Sequence, residues 1–211
     1  MESEAVSRSE RRELSGRFMK SGTEVLTELL EGNRRFSGYA PDYPNQSDER
    51  RRDAVRGQHP VAVVLGCSDS RVPPELIFDQ GIGDLFVLRT AGHVVDDAVL
   101  GSMEYAVAHL KVPLVMVLGH SDCGAVKAAL AGGEDSEGRI ASVTRAIRPA
   151  LSGMDKKAPD AVDQAARIHA GLVARELRSA APILSDAADA GTLKVVSGFY
   201  SLDTGLVEVL S

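Results

Sequence analysis

Three apolar runs stand out along an otherwise mixed chain. Val61 to Leu65 (V-A-V-V-L) runs into Gly66, Leu85 to Leu88 (L-F-V-L) into Arg89-Thr90-Ala91-Gly92-His93, and Val112 to Leu118 (V-P-L-V-M-V-L) into Gly119. Short continuous runs of this kind, rich in β-branched residues and bounded by glycine, read as buried parallel strands. Between them the apolar positions follow a helical period. Ser21 with Glu24 forms a capping-box pattern ahead of Val25, Leu26, Leu29, Leu30 and Phe36. Gly38, Pro41 and Pro44 break that helix. Ser47 then caps a short charged helix ended by Gly57, whose Arg50, Arg51 and Arg52 read as a solvated face. Val72-Pro73-Pro74-Glu75 opens another short helix, because proline suits first-turn positions.

Asp96 or Asp97 caps a helix carrying Val99, Leu100, Met103, Ala106, Val107 and Leu110 on one face. Cys123 to Leu130 reads as a helix stopped at Gly132-Gly133. Two or three helices fill Ile140 to Ala190, with apolar sets Val143, Ile147, Leu151 and then Ile168, Leu172, Val173, Leu177. Leu193 to Tyr200 and Leu206 to Leu210 close the chain as two strands around the turn Ser201–Gly205. Strands alternating with helices predict an α/β fold with a mostly parallel mixed sheet of four to five strands, flanked by helices and closed by an antiparallel pair. Residues 1–20 are a polar tail or an arm that packs on a partner subunit, and 21–211 form one domain with no internal repeat.

The composition of the 211 residues, 44% hydrophobic and 26% charged, suits one globular domain with a sizeable core. With 4% aromatics, no Trp and a formal charge of −6, the chain offers neither a stacking platform nor a basic surface for nucleic acid. It contains no apolar stretch of membrane-spanning length, and its acidic first residues lack a signal-peptide core, so a cytoplasmic setting is expected.

The chemistry collects at two strand ends. Val61 to Gly66 delivers Cys67, Ser68, Asp69, Ser70 and Arg71, and Val112 to Gly119 delivers His120, Ser121, Asp122, Cys123 and Gly124. The carboxyl edge of an open α/β sheet is where ligands bind. If the two strands lie side by side, Cys67, His120 and Cys123 converge as a Cys₂His set. Three such ligands with one position left for water describe a catalytic zinc site rather than a closed structural one. Two alternatives use the same residues: a nucleophilic Cys67–His120 pair, and a Cys67–Cys123 redox disulfide. Asp69 and Arg71, two apart, can fold into a charge-assisted pair. Beside a metal, Arg71 would hold Asp69 back from the open position, and Asp69 would orient the water there. Because two thiolates cancel the charge of a divalent ion, that water is less acidified than with neutral ligands, and an activity rising towards alkaline pH is expected.

C-S-D-S-R followed by H-S-D-C-G, with G-Q-x-P before the first and G-D-L-F-V-L-R-T-A-G-H between, resembles the β-class carbonic anhydrases, most closely the actinobacterial members. The similarity runs from about Gly32-Asn33-Arg34-Arg35-Phe36 to Gly205. It implies one Zn²⁺ per chain on Cys67, His120 and Cys123, with an Asp69–Arg71 catalytic dyad and reversible hydration of CO₂ to bicarbonate and a proton. It further implies a homodimer or dimer of dimers with the site at the interface. Gln58 falls at the bicarbonate-binding glutamine, Phe86 and Tyr105 at positions lining the pocket across the interface, Ala91 in its apolar wall, and the Gly124 amide where it can meet a substrate oxygen. Some relatives close the site by letting the residue at Asp69 become a fourth zinc ligand. Others carry a second bicarbonate site around a Trp that is Val64 here, although Gly66 and Arg89 match its other features. His93 stands where many members have Asn and is a candidate proton relay. Relatives that hydrolyse CS₂ or COS, and a non-catalytic closed zinc protein, are the competing readings.

Overall fold

In the computed structural model, which describes residues 20–132 and 138–211, the two apolar runs that end in reactive residues are neighbours. β1 (Ala62–Cys67) pairs in parallel with β2 (Leu85–Thr90) on one side and with β3 (Leu114–His120) on the other. β4 (Lys194–Tyr200) adds in parallel beyond β3, and β5 (Val207–Val209) closes the edge antiparallel to β4. The sheet order is therefore β2-β1-β3-β4-β5, with five strands among the described residues. After β1 the chain leaves towards β2, and after β3 it leaves towards β4. The two connections diverge, and a crevice opens at the carboxyl ends of β1 and β3, which is where such sheets place ligands.

Every residue of β1 and β3 is buried, as an interior parallel strand requires. Their side chains alternate between two cores. Val63, Leu65, Val115 and Val117 face one helical layer, and Ala62, Val64, Leu114, Met116 and Leu118 face the other. On the second face lie α1 (Gly22–Ser37), through Val25 and Leu29, and α3 (Pro74–Ile77). The Ser21–Glu24 capping box is present as expected, and Pro73-Pro74 opens α3. Between these two helices comes α2 (Asp48–Asp53), capped by Ser47 and wholly on the surface. Asn33, 1% exposed, ties three elements together: its amide donates to the carbonyls of Ile77 and Gly205 and its oxygen accepts from the Val207 amide.

The first face carries α4 (Asp97–Ala108), capped by Asp96, with α7 (Ala161–Arg178) and α8 (Ile183–Asp189). α5 (Gly124–Leu130) and α6 (Ile140–Ile147) pack around the carboxyl end of the sheet. α7 departs from the expected pattern. Ile168 is 42% exposed, and the buried stripe is made largely of Ala161, Ala165, Ala166, Ala170 and Ala174. The small stripe lets the helix sit almost on the sheet: a Cβ at Gly119 would lie 3.1 Å from the Ala166 carbonyl oxygen and 3.3 Å from the Ala170 Cβ. Leu110 lies beyond the end of α4, packed against the same core. Gly132 has the positive φ of a helix stop, while Gly133 and residues 1–19 lie outside the described residues. No described helix is long and apolar enough to cross a membrane.

Candidate metal centre

β1 ends at Cys67, and β3 ends at His120. Gly66 pairs with Leu118, so the two side chains leave the sheet one and two residues past a paired position. A tight turn then delivers Cys123 at the start of α5, with Asp122 in the left-handed region at φ 58°. The Sγ atoms of Cys67 and Cys123 and a ring nitrogen of His120 lie within 4.8 Å of one another, all three residues being buried. Both cysteines are free thiols.

The donor set fits a soft or borderline metal. His120 Nδ1 lies 2.8 Å from the Ser121 carbonyl oxygen, which assigns the ring proton to Nδ1 and leaves Nε2 a bare lone pair. That Nε2 is buried and has no hydrogen-bond partner. An orphaned buried acceptor costs free energy unless something occupies it, and here it faces two sulfurs. The sulfurs themselves are prepared for negative charge. Cys67 Sγ accepts from the amides of Gly92 (3.3 Å) and Asp69 (3.4 Å), and Cys123 from those of Ala125 and Val126. The Cys67 thiol is lowered, chiefly by its contact with Cys123, while Cys123 is raised by the same contact and by burial. Metal binding to such a pair requires both sulfurs as thiolates and so releases protons.

Gly92 belongs to this site although no sequence motif assigns it a role. Its φ of 64° favours glycine, and a Cβ there would lie 2.8 Å from Ile147 Cδ1 and 3.0 Å from Ala125 Cβ. Its amide holds Cys67, and its carbonyl accepts from His169 Nε2 at 3.0 Å. His169 in turn stacks on His93, ring centroids 4.6 Å apart. Only the three-dimensional arrangement links α7 to Cys67 in this way. His93 is fully buried with both ring nitrogens unpartnered, and desolvation, then His169 and His120, hold its pKa well below the usual value. A neutral ring sealed from solvent does not suit the relay role expected for it.

Burial also lowers His169 to about 4. Its folded pKa thus lies below the unfolded value of about 6.5. As pH falls through this window the unfolded chain takes up the proton first, so the stabilising contribution is complete above about pH 6.5 and is lost progressively towards pH 4. That shift corresponds to about 3 kcal/mol. Thermal melts from pH 7 to pH 4 should show this loss, and His169→Gln should be less stable at pH 7 yet flatter across the window. An unchanged slope would remove His169 from the acid response.

Asp69 and Arg71 form the expected pair. Arg71 Nε and Nη2 donate to the two carboxylate oxygens at 2.9 and 2.7 Å, and the Arg71 amide adds a third bond at 3.0 Å. These bonds, with Arg71 first, hold the Asp69 carboxyl well below the usual carboxylate range. Asp69 Oδ2 lies 4.0 Å from His120 Nε2, so the carboxylate borders the cluster. Arg89, at the end of β2, donates to the carbonyls of Cys67 and Asp69 and pins the intervening backbone. Ala91 and Gly124 are exposed beside the cluster, Gly124 in the first turn of α5.

The remaining predicted residues are not gathered there. Gln58 is exposed before β1, so the strand separates it from Cys67 by about 20 Å of extended chain. Phe86 pairs with Val63, four residues before Cys67. Tyr105 is 48% exposed on α4 beside His109. Val64 is buried in the sheet core.

The profile of the family described as Carbonic anhydrase matches residues 62–207. The chain belongs to the carbonic anhydrase family. It is 44% identical over 186 residues to the carbonic anhydrase of Mycolicibacterium smegmatis, covering 87% of this chain and 90% of that protein. It is also 44% identical over 180 residues to carbonic anhydrase 2 of Mycobacterium tuberculosis, covering 84% and 87%. Among solved carbonic anhydrases, a tetrameric β-class member from Sordaria macrospora superposes with a TM-score of 0.70 at 27% identity, covering 89% of this chain and 97% of that one. The β-class enzyme of Coccomyxa, solved with acetazolamide, superposes with a TM-score of 0.65 at 30% identity, covering 88% and 86%. This chain is therefore an enzyme of the carbonic anhydrase family with the β-class fold, and Cys67, His120 and Cys123 could hold its metal.

Proposed function

We propose that this enzyme hydrates CO₂ reversibly to bicarbonate and a proton, with one zinc ion per chain held by Cys67, His120 and Cys123. The observation that carries the reading is the bare, buried Nε2 of His120 set against two sulfurs, with an ionised carboxylate 4.0 Å away. When bound, zinc supplies a Lewis acid that acidifies a water molecule in its open position, a chemistry for which carbonic anhydrases are themselves the standard illustration.

The chain's own residues do the rest. Asp69, kept ionised by Arg71, accepts a hydrogen bond from the attacking water and fixes its orientation. Arg71 keeps Asp69 from taking the open position as a fourth ligand. The Gly124 amide would meet a substrate oxygen, and Ala91 would contribute an apolar wall for CO₂, which has little use for hydrogen bonds.

Gln58, Phe86 and Tyr105 would complete the pocket from a second subunit, because β1 holds Gln58 away from Cys67 within one chain. Partly exposed Leu85, Phe86, Val87 and Leu88 on the unpaired edge strand β2 support a homodimer, or a dimer of dimers, that covers this edge. A reducing, cytoplasmic setting would keep both thiols available as zinc ligands. The test is metal analysis of the purified protein with stopped-flow hydration of CO₂, run beside COS. One zinc per chain and turnover of CO₂ are expected, with the rate rising towards alkaline pH. Turnover of COS alone would overturn the substrate assignment, and a rate already flat below neutral pH would overturn the expected alkaline rise.

A further inference from the structure

Arg71 is gripped from two sides. Asp69 takes the Nε and Nη2 edge, and Asp122 faces the other, its Oδ2 lying 3.4 Å from Nη1 and its carbonyl oxygen 3.4 Å from Nη2. Asp122 stands between two of the metal-ligating residues, in the left-handed region that lets the turn bring both to one point. Asp is among the few residues that tolerate this conformation. Strained positions persist where their surroundings over-determine them, and these do: the Asp122 amide donates to Asp163 Oδ1 on α7 at 2.9 Å, and its carboxylate pairs with Lys127 on α5. The turn that shapes the metal site thus also throws a second carboxylate against the guanidinium that restrains Asp69.

We propose that Asp122 is a positioning residue for the Asp69–Arg71 pair: by seating the outer edge of Arg71 it keeps Asp69 turned to Arg71 and the open metal position free. The two carboxylates use different edges of the fork, so they do not compete for the same N–H groups. Lys127 offsets part of the charge of Asp122, which leaves its hold on Arg71 that of a screened, exposed ion pair. Asp163 holds the turn by its backbone and so sets where that carboxylate points. The proposal rests on the metal assignment above.

The test uses protein loaded with cobalt(II), whose visible spectrum reports ligand exchange, titrated with thiocyanate as a probe of the open position. Asp122→Ala should bind thiocyanate about three- to fivefold more weakly, the scale of one exposed ion pair, because Asp69 reaches the metal more often. Asp122→Asn should lie between, and Asp122→Glu should restore binding. In an Asp69→Asn background the Asp122→Ala effect should vanish. An unchanged titration in Asp122→Ala would overturn the proposal, as would a loss that persists undiminished when Asp69 is Asn. A wild type that binds no cobalt would overturn both this proposal and the metal assignment. One that binds cobalt and thiocyanate but, loaded with zinc, turns over no CO₂ would overturn the substrate assignment alone.

Discussion

Cys67→Ser is expected to lose the metal and to lower CO₂ hydration by about 10³-fold or more. A serine hydroxyl stays protonated where a thiolate is needed, so two ligands, His120 and Cys123, would remain. Two ligands do not make a zinc site, since catalytic centres use three. The amides of Gly92 and Asp69 now aim at Cys67 Sγ from 3.3 and 3.4 Å, and they would meet a shorter, neutral oxygen instead. The loss therefore includes electrostatic preparation as well as one bond. Metal content per chain and stopped-flow rates measure it directly, and circular dichroism checks that the fold survives. A Cys67→Ser protein that keeps one zinc per chain and full rate would refute the centre as described.

Asp69→Asn should keep the metal and lower kcat by about 10²-fold, the scale on which positioned acid–base groups act. The substitution preserves shape and one acceptor oxygen but removes the charge. Arg71 would then lose its bidentate charge-assisted partner, bonds of 2.9 and 2.7 Å. The affinity for zinc should change little, because the Asp69 carboxylate is held by Arg71 and is not among the atoms that cluster as ligands. A fall in zinc content parallel to the fall in rate would instead make Asp69 part of the coordination sphere. Unchanged activity would remove it from the reaction.

The residue pattern of the site carries two kinds of information. Cys67, Asp69 and Arg71 are contiguous with β1, and His120 and Cys123 with β3, so their local geometry follows from where each strand stops. The Asp69–Arg71 pair is of this kind, a contact between residues two apart. Gly92, His169, Asp122 and Asp163 enter through contacts that cross elements, from α7 to the turn after β3 and to the segment after β2. No local periodicity announces such contacts. α7 illustrates why: Val173 and Leu177 are buried as their spacing predicts, but Ile168 is exposed, and alanines line the helix where it approaches the sheet closely at Gly119.

What the sequence determined by itself was therefore the α/β alternation, the capped helices, the closing hairpin and the three candidate ligands, because each depends on residues near one another along the chain. The tertiary structure alone decided that β1 and β3 are adjacent with diverging exits, which is what brings sulfurs 56 positions apart, Cys67 and Cys123, to one point. It also decided that Gln58 stands a strand's length from the cluster its own chain builds, and that His93 is sealed and neutral. The physical reason is common to all of these: strand order and helix packing are settled by burying both faces of the sheet at once, a condition on the whole chain that no short window of residues contains.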